Sequence, residues 1–143
     1  MKLSTRARYA LRAMVDLAMH YEVQPVPRKD IARRQELSHH YIEQLFIRLK
    51  KAGLIEAVRG PGGGYMLTAS PEEIKVGMVI EAVEEVRAPV PCLLPESPQE
   101  CDRAPTCVTR RLWKQLGERT SEFLDSITLQ DLCDQASELA DHD

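Results

Sequence analysis

The sequence predicts a mostly α-helical fold with one small β-hairpin, and three observations carry that prediction. After Ser38, Ile42, Leu45, Phe46 and Leu49 fall at helical spacing on one face, which must pack on something. Soon after, Gly60-Pro61-Gly62-Gly63-Gly64 can be neither helix nor strand interior, so the chain turns there between two short extended segments. From Thr109, Leu112, Trp113, Leu116, Thr120, Phe123, Leu124 and Ile127 recur at helical spacing.

In order, Ser4 or Thr5 can cap a first helix, on which Ala7, Ala10, Leu11, Met14, Leu17, Ala18 and Tyr21 form an apolar face. Lys2, Arg6, Arg8 and Arg12 crowd its other side. Pro25 and Pro27 break the pattern, and Pro27 suits the first turn of a second helix over 28–36, anchored by Ile31 and Ala32. A turn through Leu37 leads to Ser38, the expected cap of the third helix. Gly53 is a left-handed stop, residues 54–59 read as a strand, and the chain returns through Tyr65-Met66-Leu67. Ser70-Pro71-Glu72-Glu73 reads as a capping box that opens a fourth helix, with Ile74, Val76, Val79, Ile80 and Val83 turned toward the first. Residues 88–107 hold five prolines and three cysteines, which excludes a regular element there. The long helix from Thr109 ends near Ser126. Thr128 or Asp131 then starts one further turn with Leu129, Leu132 and Cys133 inward, before a frayed end.

These elements divide into three parts: a winged helix-turn-helix unit over 1–87, a Pro/Cys-rich loop over 88–108, and a dimerisation helix with a C-terminal turn over 109–143. The third helix fits a major groove, about 12 Å wide. Charge agrees with that placement. Residues 1–70 carry +6 and residues 71–143 carry -9, within a net of -3. The nucleic-acid footprint therefore belongs to the first half. A long helix bearing Trp113 and Phe123 outside so small a unit is best covered by its own copy, which gives a homodimer and an inverted-repeat operator. No apolar run approaches the roughly 18 residues of a membrane span. The N-terminus offers no signal-peptide core, so a cytoplasmic protein with reduced cysteines is expected. No nucleophile has a histidine partner at recognisable spacing, and the glycine run lacks the lysine and following helix of a phosphate loop. An enzyme with a small-molecule substrate is not expected.

Leu3-Ser4-Thr5-Arg6-Ala7-Arg8-Tyr9-Ala10, Tyr41-Ile42-Glu43-Gln44-Leu45, Val58-Arg59-Gly60-Pro61-Gly62-Gly63-Gly64-Tyr65 and Ile127-Thr128-Leu129 occur in that order. Through them the chain resembles, over about residues 1–135, the Rrf-two family of bacterial winged-helix repressors (the IscR, NsrR, RirA and CymR types). The resemblance implies a dimeric transcription regulator on double-stranded DNA. Glu43 and Gln44 match the base-reading positions, and Arg59 the minor-groove arginine. The full expected DNA-contacting set is Arg28, Ser38, His39, His40, Tyr41, Glu43, Gln44, Arg48, Lys51, Arg59, Gly60, Gly62, Gly63, Gly64 and Tyr65. It also implies an iron–sulfur cluster, [4Fe–4S] or [2Fe–2S], held by Cys92, Cys101 and Cys107, which purification can strip.

Read from the residues alone, three thiols in sixteen residues of a cytosolic loop favour metal over disulfide. Their spacing matches neither ferredoxin nor zinc-ribbon patterns. The first interval is also about three residues longer than the family's. The two fourth ligands known in the family are absent, because Arg110 and Arg8 stand at their positions. Cys133 reads as core, which leaves Glu100, Asp102, His142, water or a small thiol. Thiol sensing, zinc or a partner protein is the alternative use of this loop, and a protein-interaction module the alternative to DNA binding.

Overall fold

The computed structural model describes residues 3–21, 24–84, 88–94 and 102–141. Ser4 accepts from the Ala7 amide at 3.0 Å and opens α1 (Thr5–Met19), whose Ala7, Ala10, Ala13, Met14 and Leu17 are buried. The small residues let other helices approach α1 closely. α2 (Arg28–Gln35) starts after Pro27 and ends at Glu36, whose φ of 55° places it in the left-handed region. This stops α2 one residue before the sequence-based boundary. α3 (His39–Lys51) is capped by Ser38, which accepts from the Tyr41 amide at 3.1 Å, and it buries Ile42, Leu45, Phe46 and Leu49 as the periodicity requires. Ser38→Ala should cost about 1 kcal/mol in a denaturant titration. No loss of stability would mean that the hydroxyl bond is replaced by water at no cost.

Gly53, at φ 79°, turns the chain into β1 (Ile55–Val58), which pairs antiparallel with β2 (Gly64–Leu67), Ile55 opposite Leu67 and Val58 opposite Gly64. A third short piece of chain joins this hairpin. Val26 exchanges both backbone hydrogen bonds with Tyr65, at 3.0 and 2.9 Å. At Gly64 a side chain would run into the Val26 carbonyl, so glycine is needed for that approach.

The fourth helix corrects the expected boundary. α4 spans Val76–Val83, not a run from Pro71. The carbonyls of Pro71 and Ile74 are taken by the amides of Gln130 (3.1 Å) and Leu129 (2.9 Å), and the Val76 amide donates to Ile127 (2.8 Å). Backbone groups that a helix would have used are committed to a distant segment. The proline-rich stretch also holds more than expected, with single 3₁₀ turns at Pro91–Leu93 and Ala104–Thr106. Proline sits in the first positions of each, where no amide bond is lost.

α5 (Val108–Asp125) has no buried residue, although Val108 is 75% and Phe123 65% exposed, and Leu112, Trp113 and Leu116 are exposed too. Beyond it lies a helix of 13 residues, α6 (Leu129–Asp141), where one turn was expected. Thr128 and Asp131 cap it reciprocally, each side chain accepting from the other's amide (2.9 and 3.1 Å). Leu129 is buried, with Leu132 and Cys133 packed at the edge of the core against α1. Ala140 and Asp141 belong to this helix, while His142 lies outside the described residues.

Candidate nucleic-acid interface and cysteine loop

With its apolar stripe on the core, α3 turns His39, His40, Glu43, Gln44, Ile47 and Lys51 outward. Some of these are already ordered. Glu43 pairs with Arg28 of α2 at 3.2 Å, and Gln44 Nε2 lies 3.1 Å from His40 Nε2. Both contacts are exposed and worth little by themselves, but they hold two polar side chains at the surface in defined places.

Two candidates on this helix are partly committed to the fold. The Tyr41 ring meets Tyr9 of α1 edge-on, with centroids 5.9 Å apart. Arg48 is half-buried and donates to the Val83 carbonyl at 3.4 Å. Beside them a shallow hollow of about 310 Å³ is lined by Arg6, Tyr41, Gln44, Leu45, Ile47 and Arg48.

Arg59, Gly60 and Gly62 stand exposed at the hairpin tip, with the Gly63 amide bonded to the Gly60 carbonyl at 2.9 Å. Tyr65 is different. It is half-buried, its ring against Phe46 of α3 at 4.6 Å and its backbone tied to Val26. Tyr65 therefore fixes the hairpin to the helix, which the sequence set it apart for only as a surface contact.

Of the basic cluster on α1, Arg12 is spent on structure. It donates to the Gln35 carbonyl at 2.8 Å and lies 5.1 Å from the centre of the Tyr9 ring. The charge left for a partner includes exposed Arg6 and Arg8, while Lys2 lies outside the described residues. No sequence signal marked the buried Asp16, which receives both arms of Arg34 (2.9 and 2.7 Å) and clamps α1 to α2.

In the loop, Cys92 sits half-buried in the Pro91–Leu93 turn and Cys107 immediately precedes α5. Cys101 lies outside the described residues. The Cys107 Sγ is 3.2 Å from the Thr109 hydroxyl, and that bond, followed by the Arg110 amide, holds the thiol below its ordinary range. The thiolate is the form that binds iron. Burial pushes the Cys133 thiol up, with Asp134 adding to it, as befits a residue against the core. Arg110 keeps a buried Nε without an acceptor among the described residues. Those residues include no group of three His, Cys, Asp or Glu gathered to hold a metal. Among the described residues no helix is long and apolar enough to cross a membrane.

The Rrf2 model, described as an iron-dependent transcriptional regulator, matches residues 3–135. The HTH-type transcriptional regulator IscR of Aliivibrio salmonicida is 48% identical over 132 residues, 92% of this chain and 77% of that protein. The Pectobacterium atrosepticum IscR is 49% identical, over 92% and 79% respectively. Among solved structures, T. potens IscR superposes with a TM-score of 0.80 at 40% identity, covering 97% of this chain and 90% of that one. CymR, the global cysteine regulator of B. subtilis, gives 0.78 at 37%, covering 94% and 98%. An outward polar face on α3, a glycine-tipped hairpin beside it and a match over nearly the whole length make one conclusion: the chain belongs to the Rrf2 family of winged-helix transcriptional regulators, and it is not an enzyme.

Proposed function

We propose that the chain acts in the cytoplasm as a homodimeric DNA-binding regulator, a repressor whose operator affinity is set through Cys92, Cys101 and Cys107. The observation that carries this reading is the coexistence of two unsatisfied surfaces. One is the polar outer face of α3 beside the Arg59 hairpin. The other is α5, which presents Val108, Leu112, Trp113, Leu116 and Phe123 to solvent. Exposed apolar stripes of that length on a soluble helix mark an interface, and a second copy supplies the matching stripe. Pairing through α5 sets two α3 helices about 34 Å, or a multiple, apart on one face of the duplex.

α3 enters the major groove, where Gln44 suits adenine and Glu43 accepts from cytosine. Arg28 lies against Glu43 and offsets its charge near phosphate. Arg59 follows the backbone into the minor groove, where narrow A·T segments attract it. Arg48 and Lys51 meet phosphate, as do His39, His40 and the Ser38 end of the helix, and Gly60, Gly62, Gly63 and Gly64 let the wing come close.

The cysteine loop fits an iron–sulfur cluster in its donor chemistry. The Thr109 hydroxyl and the Arg110 amide hold the Cys107 thiol below its ordinary range, and Cys92 lies in the same loop. Cys92, Cys101 and Cys107 would hold the group. When bound it supplies iron that reacts with oxygen or nitric oxide and reports iron supply. The chain's own residues carry the signal onward. Pro89, three residues before Cys92, lies against α5 where a side chain at Gly117 would touch its ring at 3.1 Å. The Asp125 carboxylate, at the other end of α5, lies against Gly77 of α4. A shift of the loop thus reaches α4, which packs on α1 and α3. A coupling of about 1–3 kcal/mol suffices for a switch.

The test has two arms. Anaerobically purified protein should bind a selected inverted-repeat duplex with a steep salt dependence. It should also contain iron and acid-labile sulfide, both abolished in the triple variant Cys92→Ala, Cys101→Ala, Cys107→Ala. Binding without salt dependence sinks the DNA arm, and a triple variant that still holds stoichiometric iron and sulfide sinks the cluster arm. If the wild type binds DNA without iron, the partly exposed Cys107 thiol is the better sensor, and the loop acts by thiol chemistry.

A further inference from the structure

We propose that Ile47 reads the methyl group of a thymine in the major groove. The inference rests on the DNA-binding reading above and adds a base contact to it. Ile47 lies three residues after Gln44 and four before Lys51 on α3, and it is 61% exposed. The stripe that packs α3 on the core is complete without it, since Ile42, Leu45, Phe46 and Leu49 are all buried. A β-branched residue facing water on a helix gains nothing from burial and lowers helix propensity slightly. The fold does not call for isoleucine here.

The surroundings favour a nucleic acid over a protein partner. Around Ile47 the outer face of α3 is polar, with Gln44 a turn before it and Lys51 a turn after. A protein interface would want a broader apolar patch. Ile47 also shares the hollow of about 310 Å³ with Gln44, with Arg6 and Arg48 among its lining. Arg6 there supplies positive charge for a phosphate beside the base edge that Gln44 and Ile47 would read. Thymine alone presents a methyl group in the major groove, and apolar side chains recognise it there. Gln44 and Ile47, one turn apart, would read neighbouring adenine and thymine positions.

The test replaces each thymine of the selected half-site in turn with deoxyuridine, which pairs identically but lacks the methyl, in both half-sites together. Wild-type protein should lose about fourfold per methyl, or about 15-fold over two half-sites, at one thymine position. Ile47→Ala should bind the natural operator that much more weakly and lose nothing further at that position. Its melting temperature should match the wild type, since the side chain is outside the core. Equal binding of thymine and deoxyuridine duplexes at every position overturns the inference, as does an Ile47→Ala variant that keeps the wild-type sensitivity. Specific binding with no methyl effect fails the inference alone, whereas absence of any specific duplex binding fails it together with the function on which it rests.

Discussion

Arg34→Ala is expected to destabilise the protein by about 3–5 kcal/mol, because it leaves a buried carboxylate uncompensated. Asp16 is 4% exposed. It takes Arg34 Nε at 2.9 Å, Arg34 Nη2 at 2.7 Å and Gln35 Nε2 at 3.0 Å. Without the guanidinium, among the described residues Gln35 and a more distant His20, 3.8 Å away, are left facing that charge. Asp16→Ala should be milder, about 1.5–3 kcal/mol, since the partly exposed arginine it orphans can return to water. Thermal unfolding followed by circular dichroism should show a drop on the order of 10 °C for Arg34→Ala. The reverse ranking of the two variants would mean that the pair is not what holds α1 to α2. pH separates them further. Burial raises the Asp16 carboxyl, but the Arg34 and Gln35 hydrogen bonds and the Arg34 and His20 charges outweigh it and hold it below the usual 3.8. A group whose folded pKa is depressed stabilises fully above its unfolded value and loses that contribution as pH falls through the folded one. The wild type should therefore lose stability below about pH 4 more steeply than Asp16→Asn does.

The double variant Gln44→Ala, Arg59→Ala should weaken operator binding on the order of 1,000-fold or more, since each lost base contact costs about 1–3 kcal/mol and a dimer loses it twice. The two substitutions act differently. Arg59→Ala alone should lower the salt slope by about 2 per dimer, one cation from each wing. Gln44→Ala alone should leave the slope unchanged and relax preference at one base pair per half-site. Titrations at several salt concentrations distinguish these outcomes, and unchanged occupancy by the double variant would remove α3 and the hairpin from the interface.

Helices whose stability comes from one amphipathic stripe were legible in the chain. The spacing of Ile42, Leu45, Phe46 and Leu49 placed α3, and the glycines at 60–64 placed the hairpin. What was misread depends on long-range hydrogen bonds. Ser70-Pro71-Glu72-Glu73 has the local chemistry of a helix start, yet the Pro71 and Ile74 carbonyls serve residues 129 and 130. α6 was underestimated because its inward residues are few and its acidic ones many. The candidate site was legible as a set of positions, but not in its division of labour: Tyr65 and Tyr41 look like surface aromatics until their ring partners Phe46 and Tyr9 are seen. Ile47 sits off the core stripe, where a helical pattern treats it as noise.

The bridge between Lys75 and Thr128, with its flanking bonds from Val76 and Leu129, has a consequence for biosynthesis. During translation the segment before α4 has no partner for its backbone until more than fifty further residues have left the ribosome tunnel. The nascent reading unit must wait with those carbonyls hydrated, and loop closure of that length makes docking a late event. Stalled or truncated products ending inside α5 would then be substrates for proteolysis rather than partially active proteins.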